Sequence, residues 1–226
     1  MKLGNLQFLL IIACVTLFSC QYKDSHGVSK KEERKQEDNV VRLPILGHRD
    51  VENGDTIYHM IPDFVFTNQN GEFIKLEDLK GKIIIANFFF TSCPSICPVM
   101  TKQMRRLQEM LEVDSNKVVF LSHTIDPEND DIERLKAFSE HYNANPYNWY
   151  FLRGEMEYLY EIAKTGYLSS ALEDDQEPGG FLHSPYFVLV DLERHIRGMY
   201  DGTIPEEVNK LAKDFKKLQK EYAKGK

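Results

Sequence analysis

Thiols are few in this 226-residue chain, and its positive charges are outnumbered by negative ones. It carries four cysteines, and Cys14 and Cys20 both fall in an N-terminal apolar stretch, so Cys93 and Cys97 are the only thiols left to the domain that follows. Lys and Arg number 28 against 35 Asp and Glu, a formal net charge of -7. Nucleic-acid binding depends on basic side chains, and so acidic a chain is excluded from that class. No internal repeat is present. The N-terminal apolar run, from Leu6 to Phe18, is shorter than the roughly 20 apolar residues that a membrane-crossing helix needs.

Residues 1–20 run from Lys2 through Leu6, Phe8, Leu9, Leu10, Ile11 and Ile12 to Leu17-Phe18-Ser19-Cys20, the layout of a secretory signal. The chain is therefore expected to be exported. The last four of these residues resemble the lipobox of bacterial lipoproteins, with Phe18 where a small residue is usual. That resemblance implies lipidation of Cys20 and a membrane-anchored lipoprotein facing the periplasm or the cell exterior. The alternatives are an ordinary cleavable signal with an incidental cysteine, or a short anchor retaining Cys14 and Cys20. Residues 21–42 shift to Lys, Glu, Asp, Gln and Ser, as in Lys30-Lys31-Glu32-Glu33-Arg34-Lys35-Gln36-Glu37-Asp38. Such a segment buries too little to offset the entropy of folding, and reads as a flexible charged tether with an average span of roughly 25 Å. Cleavage after Ser19 removes Lys2 as the one charged side chain, taking the net charge from -7 to -8.

Residues 43–226 amount to one domain with a substantial core. Pro62 to Thr67, the turn Asn68-Gln69-Asn70-Gly71 and Phe73 to Leu76 predict an N-terminal hairpin. Ile83-Ile84-Ile85-Ala86-Asn87-Phe88-Phe89-Phe90 is apolar on both faces, as in a central strand. Met100, Met104, Leu107 and Leu111 keep helical spacing, and Val118 to Ser122 reads as a strand. A helix at about Asp131 to His141, a strand at Trp149 to Leu152 and a helix at about Met156 to Thr165 follow. Tyr186 to Asp191 and His195 to Tyr200 form a strand pair, and Pro205 opens a long closing helix to about Tyr222. This order predicts an α/β fold in which helices flank a mixed sheet. The aromatic groups Phe88 to Phe90 and Trp149 to Phe151 are assigned to its core.

The cysteines sit where strand gives way to helix, in Thr91-Ser92-Cys93-Pro94-Ser95-Ile96-Cys97-Pro98. A buried strand delivering cysteines to a helix, followed by a strand, helix, strand unit and a terminal hairpin and helix, resembles the thioredoxin fold, whose own spacing is Cys-x-x-Cys. A closer match lies in that motif together with Ile125-Asp126-Pro127-Glu128-Asn129-Asp130, Trp149-Tyr150-Phe151-Leu152-Arg153-Gly154 and His183-Ser184 ahead of Tyr186 to Asp191. In order and spacing these resemble the Sco/SenC family of copper-binding assembly proteins, and the likeness runs from Ile61 to Phe215. Two departures alter a turn and a loop without removing a ligand. Asp191-Leu192-Glu193-Arg194 stands where the family commonly has Asp-Pro-x-Gly, and Pro185 directly follows His183-Ser184.

The residues make a chemical case beside that resemblance. Residues four apart in a first helical turn share a face with Cβ atoms roughly 5 to 6 Å apart, which permits either a disulfide or two thiolates on one metal. Helix N-terminal amides favour the thiolate, the form that binds metal or attacks disulfides. Two thiolates and the His183 imidazole suit copper, as Cu(I) through sulfur and as Cu(II) through nitrogen. Zinc competes, but a closed structural site wants a fourth protein ligand and the domain has no further cysteine. A structural disulfide is the alternative for the pair. The loop before the penultimate strand lies beside the cysteine-bearing helix, and Gly179-Gly180 would let His183 swing to the thiolates. His26, His48, His59, His123, His141 and His195 are assigned to surface or packing. Asp126 either orients the cysteine loop through hydrogen bonds or simply starts a turn and caps the next helix.

The resemblance implies a membrane-tethered copper chaperone whose partner is the copper-receiving subunit of a respiratory oxidase, its copper donor being unidentified. The alternatives are a thiol-disulfide oxidoreductase using Cys93 and Cys97 as a redox dithiol, and a copper or redox sensor.

Overall fold

The computed structural model describes residues 42–174, 176 and 179–224, so the signal stretch, Cys20 and all of the tether but Arg42 lie outside the described residues. Arg42–Lys226 form one compact unit. Two hairpins come first. In one, β1 (Arg49–Glu52) and β2 (Asp55–Tyr58) are joined by Asn53 and Gly54 at φ of 52° and 91°. Positive φ at both central residues is what an Asn-Gly hairpin turn supplies. The other pairs β3 (Val65–Thr67) with β4 (Phe73–Lys75), at the place expected from the sequence.

The sheet follows from the doubly apolar run. It forms β5 (Ile83–Phe89), with all seven residues buried. Next come α1 (Cys97–Met110), β6 (Val118–Thr124), α2 (Ile132–His141), β7 (Trp149–Leu152) and α3 (Met156–Glu161). After β8 (Ala171–Glu173) and β9 (Phe181–His183), the chain closes with β10 (Tyr186–Val190), β11 (Ile196–Asp201) and α4 (Pro205–Lys224). The strand order is β11-β10-β5-β6-β7, with β5, β6 and β7 parallel and β10 antiparallel to both its neighbours. Parallel strands must be covered on both faces, and β6 is also buried throughout. On α1 the buried Met100, Met104 and Leu107 form the inward stripe. Phe88, Phe89, Phe90, Trp149 and Phe151 are all core residues.

Two elements depart from the sequence expectation. The helix expected to Thr165 is α-helical only to Glu161 and then widens, with Tyr167 N–H donating to Ile162 O at 2.8 Å. The loop expected before β10 is a hairpin, in which β8 pairs antiparallel with β9.

Register gives the sheet two distinct ends. Val188 pairs with Ala86 and Val190 with Ile84, so the start of β10 lies beside the C-terminal end of β5. At the opposite end the buried Arg197 binds the carbonyls of Leu43 and Pro44 at 2.6 and 3.1 Å, Asp191 at 2.9 Å and Glu221 at 2.7 Å. Leu46 N–H donates to Ile196 O at 2.8 Å, which covers part of the β11 edge. Leu43, Pro44 and Leu46 thus lie at the end of the sheet remote from the cysteines.

Candidate metal and redox site

Phe90 follows the last residue of β5, and there the chain turns, with Cys93 N–H donating to Phe90 O at 3.3 Å. Cys97 is the first residue of α1 and Pro98 the second, where proline fits because the first-turn N–H groups have no helical acceptor. The residue before Cys97, Ile96, provides no side-chain cap. Backbone N–H groups of Ser95 and Cys97, at this helix start, hydrogen-bond to the Cys93 sulfur and favour its thiolate. Both cysteines are free and buried, Cys93 at 7% and Cys97 at 1% exposure.

His183 arrives from the far side of the chain. It is the last residue of β9, paired with Ala171, while the preceding cross-strand pair, Leu172 and Leu182, faces outward and is exposed. Alternation along the strand turns His183 inward, to 5% exposure. Its Nδ1 lies 3.0 Å from the carbonyl of Ser184, which can only accept, so Nδ1 donates there and Nε2 is turned toward the cysteines. Nε2 is 3.0 Å from Cys97 Sγ, and the ring meets the Phe90 ring edge-on at 6.1 Å. Gly179, on the turn side of β9, has φ of 94°, and a Cβ there would lie 2.7 Å from Phe90 Cε2 and 3.3 Å from Pro94 Cδ. The glycine thus serves close packing against the cysteine loop as well as the turn.

The Sγ atoms of Cys93 and Cys97 and a ring nitrogen of His183 all lie within 4.8 Å of one another, and among the described residues they are the one group of His, Cys, Asp or Glu that could hold a metal ion. The hydrogen bond from Cys97 draws the Cys93 thiol well below its ordinary range, against the opposing effect of burial and with further help from His183. The same bond, reinforced by burial, pushes Cys97 up. One sulfur is a ready thiolate and the other holds the proton that a metal would displace.

The other histidines occupy different settings. His123, wholly buried on β6, stacks on Phe88 at 5.3 Å and borders Phe64, Phe66 and Tyr167; burial lowers its pKa to about 3. His59 is buried against Gly166 O at 2.8 Å and against His48. His48 and His141 are exposed, His195 is half-buried, and His26 lies outside the described residues. The carboxylate of Asp126 accepts from the side chain of Asn129 at 2.9 and 3.1 Å and from its backbone at 3.3 Å. The hydrogen bonds that reach the cysteine loop come instead from Asp130, which sequence reasoning passed over. That carboxylate is fully buried, burial raises its pKa, and it accepts from Thr91 N–H at 3.1 Å, from the Thr91 hydroxyl and from Thr124 Oγ1 at 2.5 Å.

A central mixed sheet with a dithiol at the end of its middle strand, completed by a histidine from a later hairpin, defines a thioredoxin-like protein equipped to bind a soft metal. Comparison with known proteins makes the class specific. The SCO1/SenC family model matches residues 53–220, and the chain belongs to that family. It is 31% identical to the SCO1 protein homolog of Bacillus subtilis, over 72% of this chain and 84% of that one. Among solved structures, a SCO1/SenC family lipoprotein from Bacillus anthracis superposes with a TM-score of 0.66 at 32% identity, covering 71% of this chain and 95% of that one. BsSco, described with a disulfide switch and as a member of the Sco family of cytochrome c oxidase assembly proteins, gives a TM-score of 0.60 at 31% identity over 69% and 92% of the two chains. No helix among the described residues is long and apolar enough to cross a membrane.

Proposed function

We propose that this protein is a membrane-tethered copper chaperone that carries one copper ion on Cys93, Cys97 and His183 and assists assembly of the copper centre of a cytochrome c oxidase. The observation that carries the reading is the convergence of two sulfurs and an imidazole nitrogen within 4.8 Å. Two thiolates favour Cu(I), and the imidazole adds affinity for Cu(II), so copper as cargo is accommodated in either oxidation state. Binding deprotonates Cys97 and puts copper where its thiol proton was. Release proceeds by ligand exchange to the copper-receiving subunit. Cys20, carrying a lipid, would hold the protein on the membrane, with the charged segment from residue 21 to 42 as the tether. Asp126 acts at one remove, shaping the turn through Asn129.

A second reading is favoured by the unequal protonation of the two thiols: a dithiol that reduces the cysteines of the same acceptor. Anaerobic titration of the reduced protein with Cu(I) tests the first. One copper per chain is expected, lost when Cys93 and Cys97 are both replaced by Ser, since both soft sulfur ligands are then gone. Failure to bind stoichiometric copper, with disulfide reduction of an acceptor peptide intact, would leave the reductase in its place.

A further inference from the structure

The loop carrying Cys93 is fastened to the neighbouring strand by a single carboxylate. Phe89 and Thr124 pair at the C-terminal ends of β5 and β6, and Ile125 N–H donates to Phe89 O at 2.9 Å. Just beyond that pairing both chains leave the sheet. One turns through Thr91 toward Cys93 and the other through Asp126 to Asp130. Asp130 is fully buried, and its carboxylate spans the gap, with both donors of Thr91 on one side and Thr124 Oγ1 on the other. Its own backbone is held in turn, because Arg153 donates to Asp130 O at 3.1 Å and to Pro127 O at 2.8 Å. The nearest cationic atom to the carboxylate, Arg134 Nε, is 3.9 Å away. A buried charge so weakly paired is costly to keep. Three donors converging on it, two of them from a residue two positions before Cys93, show what it holds.

We propose that Asp130 is a positioning residue for the copper and redox site: by locking Thr91 it fixes where the turn delivers Cys93 relative to Cys97 and His183. It makes no hydrogen bond to either sulfur; its charge adds to the effects that push Cys97 up, and its hold on Cys93 runs through the loop. The inference rests on the copper reading only where its test uses copper; the thiol readout stands without it.

The test uses the full chain with Asp130→Ala, Asp130→Asn, Thr91→Val and, as control, Glu128→Gln, an exposed carboxylate of the same loop. Two quantities are read: loss of copper to a competing chelator, and the alkylation rate of Cys93 in the metal-free protein. Groups that orient metal ligands typically change affinity by about 10- to 100-fold when removed. Asp130→Ala is expected to shift both readouts by about tenfold. Asp130→Asn, which retains one acceptor oxygen, and Thr91→Val, which retains the charge and the backbone donor, should shift them by about threefold, the worth of a single hydrogen bond. Glu128→Gln should leave both unchanged. If Asp130→Ala does not fold, the other two substitutions decide. Unaltered readouts in folded Asp130→Asn and Thr91→Val would overturn the proposal. So would a change in Asp130→Asn alone, which would mean that the charge acts directly on the thiols. If the unmodified protein binds no copper, the chaperone reading fails and the alkylation rates still judge Asp130.

Discussion

The two arms of the site are built differently. The cysteine arm grows out of the fully buried β5, turns within a few residues and enters α1 at once, with Asp130 holding the turn. The histidine arm is a two-stranded hairpin outside the five-stranded sheet, with Leu172 and Leu182 exposed on its outer face. Among the described residues, two hydrogen bonds close its base and aromatic contacts seat it on the cysteine loop. Ser170 N–H donates to Ser184 Oγ at 2.8 Å, Ser184 N–H donates to Ser170 O at 3.0 Å, and the rings of Phe90 and Phe181 meet at 5.2 Å. The contrast is what the proposed carrier role would use. The thiolates, which either copper oxidation state requires, stand at the end of a central strand, and the imidazole, which matters most to Cu(II), stands on a hairpin outside the five-stranded sheet.

The sharpest way to break this comparison is within the cysteine arm, where two thiols four residues apart are driven in opposite directions. Cys93 is drawn low by the Cys97 hydrogen bond, and Cys97 is pushed high by that bond and by burial. An ordinary thiol with a pKa near 8.5 gains reactivity close to a hundredfold from about pH 6 to about pH 8, because its thiolate fraction rises. Cys93 is already ionised across that window, so its alkylation rate in the reduced, metal-free protein should change by less than about twofold. Cys97 should stay unmodified throughout. Mass analysis of quenched samples separates the sites. A Cys93 rate that climbs with the ordinary thiol profile would remove the asymmetry that favours the reductase reading.

A smaller effect is expected from the histidine arm. His183→Ala removes the nitrogen ligand and leaves the sulfurs, so Cu(II) should weaken by about a hundredfold and Cu(I) by about tenfold or less. Competition titrations in the two oxidation states read this difference. Equal losses would mean that the hairpin contributes to shaping the thiol site and not to the choice of oxidation state.

Local pattern made the cysteine arm legible before any coordinates. An eight-residue apolar run, a proline-flanked cysteine pair and a helical stripe each identify their own element, and β5 and α1 lie where those patterns end and begin. The histidine arm was legible only in part. Its strands are three residues long and pair Ala171 with His183 across an intervening stretch, so what defines them is the partner strand and not their own periodicity. The β1–β2 hairpin did carry a signal, Asn53-Gly54. That signal stands alone in the sequence, because Val51 and Ile57 are exposed and no buried alternation flanks the turn. Asp126 and Asp130 are indistinguishable by type, and only the packing of the two loops turns the second toward Thr91. At the opposite end of the sheet, the departure Asp191-Leu192-Glu193-Arg194 still makes its turn. Asp191 Oδ1 accepts from the N–H groups of Glu193 and His195, both at 2.9 Å, and Arg194 takes φ of 71° while bonded to Asp63 at 2.7 Å.

The smallest expected effect sharpens the comparison most, because it loosens one arm and should spare the other. Ser184→Ala deletes the hydroxyl that accepts from Ser170 N–H, but keeps the backbone carbonyl that holds His183 Nδ1 and the backbone bond to Ser170 O. That hydrogen bond is solvent-exposed, so water can replace the lost acceptor and the cost falls at the low end for one hydrogen bond, about 0.5 kcal/mol. Spread over the local opening of the hairpin, this corresponds to roughly a twofold faster amide exchange at Ser170 and Ser184 and a Cu(II) affinity lower by about the same factor. The pH profile of Cys93 alkylation should be untouched, since no bond of the cysteine arm passes through the Ser184 hydroxyl. Amide exchange, copper competition and alkylation on the same variant test all three. If the Cys93 profile shifts along with the hairpin, the two arms move as one body and the division between a fixed dithiol and an adjustable imidazole is wrong.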